Sequence, residues 1–129
     1  MFPNFNKYNR KIDDIILNDR QYENKYETIS LKTSLYKIVI TAISECCSYS
    51  WIEKYKNNDF DILKNKIITS IKEIKFLENY EYDDKDNTFD CITSHLFQIK
   101  FTDNTSFDFL LLNSSNGYYD GYIRVEILL

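Results

Sequence analysis

The chain has 129 residues, a formal charge of −4 and basic residues that are almost all lysine, 13 against 3 arginines. It is long enough to bury a core of ordinary size as one domain, and it lacks the broad positive field that gathers a phosphate backbone, which disfavours nucleic acid as a principal partner. Aromatic residues at 16%, carried by 11 Tyr and 9 Phe, lean toward strands, and the three cysteines cannot all pair, so a reduced compartment is the simpler expectation. The abundance of Lys, Asn, Ile and Tyr beside scarce Gly, Pro and Arg is what a coding sequence rich in A and T produces.

Residues 1–10, with Asn4, Asn6, Asn9 and the only proline, Pro3, show no period and predict an extended N-terminal arm whose Phe2, Phe5 and Tyr8 can dock on the body or on a partner. Residues 11–129 read as one compact β-rich domain. Ile12, Ile15, Ile16 and Leu17 predict a short strand. Tyr26 to Lys32 and Leu35 to Ile43 alternate apolar and polar residues across a short polar link, the pattern of an antiparallel hairpin.

The stretch Glu45 to Glu53, Glu-Cys-Cys-Ser-Tyr-Ser-Trp-Ile-Glu, holds two cysteines and the only tryptophan. Both residue types favour the interior, so the stretch predicts a buried junction between two halves of the chain. A short helix is expected at about Trp51 to Asn58. Between Asp61 and Leu77 the residues Leu63, Ile67, Ile71 and Ile74 recur at helical spacing, yet the density of Ile and Thr favours a strand from about Ile67 with a helical turn before it.

Tyr80 to Asp90 is a charged connection. Ile92 to Phe101 and Phe107 to Leu111 form the clearest hairpin, turned by Asp103, Asn104 and Thr105. Asn113 to Gly121 then carries both glycines of the chain, which mark places of positive φ or close backbone approach, before a last alternating strand from Tyr122 to Leu129. The fold class expected is α+β, mainly antiparallel, with one or two short helices. Two hairpin units over about 11–58 and 66–129 are related as a pseudo-repeat that would bring the Cys-Trp stretch and the Asn-Ser-Gly-Tyr stretch side by side.

Chemistry is sparse. Cys91 and His95 have zinc-compatible spacing, but Cys46 and Cys47 are adjacent rather than spaced, so no metal and no other cofactor is expected. His95 shares the parity of Phe97 and Ile99, which makes it a satisfied core histidine rather than a base for a nucleophilic cysteine, and no catalytic residue is assigned. Asp83 to Asp90 lacks the glycine and terminal Glu of a calcium loop. Asn116, Tyr118, Tyr119 and Asp120, flanked by Gly117 and Gly121, suit an exposed turn that grips another protein, because tyrosine offers large rigid contact area.

The string Glu45 to Glu53, followed downstream by Asn116 to Gly121 and Val125, resembles a small domain of unknown function found in proteins of bacteriophages and large DNA viruses, over roughly Tyr26 to Leu129. The resemblance implies a viral origin and a compact mixed β fold, with Glu45, Cys46, Cys47, Ser48, Ser50, Trp51, Gly117 and Gly121 as its motif, and it carries over no activity. The leading expectation is therefore a non-enzymatic interaction or structural module that binds a viral or host protein or a second copy of itself. It would act in the host cytoplasm, a viral factory or the virion, with no membrane segment and no leader. The alternatives are a small enzyme or ligand-binding protein with a pocket near Cys46, Trp51 and His95, and a nucleic-acid module that stacks bases on tyrosines.

Overall fold

The computed structural model describes residues 2–19, 24–56, 58–77, 91–115 and 120–129. Eight antiparallel strands form one sheet: β1 (Asp14–Asp19), β2 (Tyr26–Lys32), β3 (Lys37–Ser44), β4 (Tyr49–Lys54), β5 (Ile68–Leu77), β6 (Cys91–Phe101), β7 (Ser106–Ser115) and β8 (Gly121–Leu128). Their order is β5-β6-β7-β4-β2-β3-β8, with β1 on β2. Two single 3-10 turns, Phe5–Lys7 and Phe60–Leu63, are the helical content of the described residues. The mainly antiparallel β expectation therefore stands, and the α component shrinks to these turns.

Three expectations need correction. The helix expected at about Trp51 to Asn58 is absent among the described residues: Tyr49–Lys54 is strand β4, which pairs with β7 and touches β2 at Tyr26 and Ile52. Trp51 and Ile52 point to opposite faces and both are buried, so a strand lying between two others loses the alternation by which sequence identifies it. Asn113 to Ser115 belong to β7, with Asn113 opposite Ser50 and Ser114 opposite Tyr49, rather than to a loop. Cys46 and Cys47 are exposed in the β3–β4 turn. The charged connection Tyr80 to Asp90, and Asn116 to Tyr119, lie outside the described residues.

Curling of the sheet builds the core. β2, β3 and β8 contribute Tyr26, Ile29, Leu31, Ile38, Ile40, Ile123 and Val125, which meet Phe97, Ile99, Phe101, Phe107, Phe109 and Leu111 of β6 and β7. The start of β8 reaches across to touch β7 and β4 although it pairs with β3. The N-terminal arm is part of this packing: Phe5 is buried, Phe2 meets Phe97 edge-on at 6.1 Å and Tyr8 meets Tyr36 at 5.3 Å. A second, smaller apolar cluster of Trp51, Ile92, Leu110 and Leu112 occupies the other face.

The β6–β7 turn holds a carboxyl well below the usual carboxylate range. Asp103 accepts from Lys66 Nζ at 2.5 Å and from the Thr105 hydroxyl at 2.5 Å and amide at 3.0 Å, and these donors, Lys66 first, hold its carboxyl down at about 2 from the usual 3.8. A depressed folded pKa adds stability that is present above the unfolded value and lost as pH falls through the folded one. Asp103 in the intact chain should therefore titrate by carboxyl NMR near pH 2 and return toward 3.8 in Lys66→Ala. Titration near 3.8 in both proteins would show that Lys66 does not hold it.

Candidate functional site

The polar end of the curled sheet is assembled by register. Across β6, β7 and β4, His95 aligns with Leu111 and Ile52, and Thr93 aligns with Asn113 and Ser50, so these side chains share the core face beyond the last apolar residues. Trp51 aligns with Leu112 and Ser94 on the opposite face. The structure thus separates Trp51 from His95 and does not bring Cys46, Trp51 and His95 together as one pocket.

Two carboxylates bracket His95. Nδ1 contacts Glu73 Oε1, and Nε2 lies 2.8 Å from Asp120 Oδ2. Asp120 Oδ1 also accepts from the Thr93 hydroxyl at 3.1 Å and from the Gly121 amide at 2.8 Å. Phe76 lies against the imidazole with ring centroids 4.6 Å apart, leaving the histidine side chain 14% exposed.

A β-bulge makes this bracket possible. Glu73 pairs with Phe97 and Phe76 pairs with His95, both on the core face, although 73 and 76 differ by an odd number and would alternate faces in a regular strand. The irregularity between Glu73 and Lys75 inserts Ile74 as an unpaired residue and resets the parity, which is how bulges re-aim side chains. A second bulge at Thr69 does the same for Ile68 and Ile71.

The consequence is topological. Glu73 and His95 stand on β5 and β6 at one end of the strand order, and Asp120 immediately precedes β8 at the other. The carboxylate–imidazole–carboxylate chain ties the two margins of the sheet together across the core. Next to it the buried Ser50 hydroxyl donates to Asn113 Oδ1 at 2.6 Å, and Gly121 packs directly on Ser50.

Asp120 also carries the β3–β4 turn. Its carbonyl accepts from the Glu45 amide at 3.1 Å and from the Ser48 hydroxyl at 3.2 Å, and the Ser48 amide closes the turn on the Glu45 carbonyl at 3.1 Å. Glu45 is exposed. The Cys-Trp stretch and the described part of the Asn-Ser-Gly stretch therefore do lie side by side, joined through Asp120, Ser48, Ser50 and Asn113. At the turn's tip Cys47 has φ 68° and its sulfur lies 3.1 Å from that of Cys46. The hydrogen bond to Cys46 pushes the Cys47 thiol up from its ordinary value, since its proton is shared with the neighbouring sulfur.

Of the residues that sequence picked out for binding, Asp120 is described, and it is the hub of the network. Asn116, Gly117, Tyr118 and Tyr119 lie outside the described residues. Glu73 and Phe76 were missed, because the bulge that places them leaves no mark of its own in the sequence. Among the described residues no three or more His, Cys, Asp or Glu side chains converge to hold a metal ion, since Glu73 and Asp120 approach opposite edges of the ring. No family model, no curated protein and no solved structure matches the chain.

Proposed function

We propose that the chain is a non-enzymatic interaction module that binds another protein, either a distinct one or a second copy, through the polar end of the sheet. The carrying observation is that Ile74 and Phe76, each 47% exposed, stand on β5, and that Phe76 lies against His95, whose second carboxylate partner directly follows the tyrosine-bearing residues 116–119. Among the described residues no strand pairs with the outer side of β5. Apolar side chains raised on an edge strand, with a rigid charged network beneath them, suit protein contact, where a few large side chains carry most of the energy. Both ring nitrogens of His95 are engaged by carboxylates, which favours a structural imidazole over a base. The viral resemblance makes the distinct partner a viral or host protein. Among the described residues no helix is long and apolar enough to cross a membrane.

Co-purification of the full chain, followed by mass determination of what is retained, tests this. Wild type should retain a defined second chain, and Ile74→Ser/Phe76→Ser and Tyr118→Ala/Tyr119→Ala should each weaken retention by about tenfold or more while urea unfolding shows both variants still folded under the assay conditions. Retention unaltered in both variants, or a chain that stays monomeric and alone, would remove the interaction reading.

A further inference from the structure

The β3–β4 turn holds chemistry that the interaction reading does not use. Cys46 and Cys47 are both exposed thiols, and their sulfur atoms sit 3.1 Å apart. Two neighbouring residues of an extended strand would send their side chains to opposite faces. Here the positive φ of Cys47, 68°, turns the second side chain back beside the first. That conformation is uncommon for a residue other than glycine or asparagine and persists only where its surroundings hold it. The surroundings do hold it: the turn is closed by Ser48 on Glu45 and fastened to the Asp120 carbonyl by two hydrogen bonds. The backbone thus spends strain on bringing two sulfurs together in open solvent.

We propose that Cys46 and Cys47 form a redox-active dithiol that closes to a vicinal disulfide by exchange with a small-molecule disulfide such as oxidised glutathione. The thiolate of one cysteine attacks a sulfur of the small disulfide, forming a mixed disulfide and releasing one thiol. The second cysteine, as thiolate, then attacks the protein sulfur of that mixed disulfide and releases the other thiol. One small disulfide is reduced to two thiols, the two protein thiols are oxidised to one S–S bond, and their two protons pass to the departing thiolates. The sulfurs need approach by only about 1 Å from their present separation to reach bonding distance. Adjacent Cα atoms, fixed about 3.8 Å apart across a trans peptide, are closer than an ordinary disulfide prefers. The bond is therefore strained and readily reduced, the property of a regulatory rather than a structural disulfide. Because the turn hangs from Asp120, its redox state acts at the residue that also holds His95.

The test uses the intact wild-type chain. It is equilibrated with mixtures of oxidised and reduced glutathione, quenched by alkylation and digested so that Cys91 falls in a separate peptide. In excess oxidised glutathione, the peptide holding Cys46 and Cys47 should lose about 2 Da and resist alkylation, and a roughly tenfold excess of reduced glutathione should restore two alkylatable thiols. Cys46→Ser and Cys47→Ser should each accumulate a stable glutathione adduct where wild type resolves it. A wild-type peptide that stops at the adduct, stays dithiol in oxidised glutathione, or pairs with Cys91 or a second chain instead would overturn the proposal.

Discussion

Gly121→Ala should destabilise the protein by about 3–5 kcal/mol, a large part of the stability of a domain this size. A Cβ at this position would lie 2.0 Å from Ser50 Oγ and 2.7 Å from the carbonyl oxygen of Ile43. The first contact can be relieved only by turning the Ser50 hydroxyl away from Asn113 Oδ1, which breaks a buried hydrogen bond. The second is backbone, so β8 would have to separate from β3 where Gly121 pairs with Ser44. Urea unfolding measures the cost. Placing Gly121→Ala in a Ser50→Gly background should recover at least about 1 kcal/mol beyond additivity, because both contacts with the serine disappear. A Gly121→Ala protein as stable as wild type would mean that β8 does not approach β4 as described.

Asp120→Ala should cost about 2–3 kcal/mol. The substitution deletes the acceptor for His95 Nε2, for the Thr93 hydroxyl and for the Gly121 amide, while the backbone carbonyl that supports the Cys46–Cys47 turn remains. Part exposure of the carboxylate, 33%, keeps the figure below that of a fully buried charge pair. Asp120→Asn keeps the shape and one acceptor oxygen, so it should fall between Ala and wild type. A loss under about 0.5 kcal/mol for Asp120→Ala, the range of ordinary surface substitutions, would show that the network carries no weight.

The hairpins were legible over the stretches where only one face is covered. Tyr26–Lys32 is β2 to the residue, and the alternation of Phe97, Ile99 and Phe101 against Gln98 and Lys100 marks β6, with Asn104 at φ 67° in the turn that follows. The ambiguity at 61–77 has a physical source: bulges at Thr69 and Ile74 put residues three apart, Ile68 with Ile71 and Glu73 with Phe76, on one face, and three-residue spacing is also what a helix shows. Trp51 and Ile52, buried on both faces of β4, gave no period at all.

The cysteines were misplaced by residue preference alone. Free cysteine is usually buried, but the positive φ that holds this pair at a turn tip is a property of conformation that composition does not record. For the site, the shared parity of His95 with Phe97 pointed to the core face. Its partners lie 22 and 25 residues away, on a bulged strand and immediately before β8, and only the curled sheet brings them together. The usable signal was Asp120 beside Gly121, a carboxylate next to one of the two glycines in the chain.

The pin between the sheet's two margins is tested most directly by a double-mutant cycle on unfolding free energy with His95→Ala, Asp120→Ala and the pair. Contact at 2.8 Å predicts a coupling of about 1–2 kcal/mol, the double variant losing less than the sum of the two singles. Losses that add to within about 0.3 kcal/mol would contradict it, leaving the imidazole and the Asp120 carboxylate as independent groups at opposite ends of the strand order.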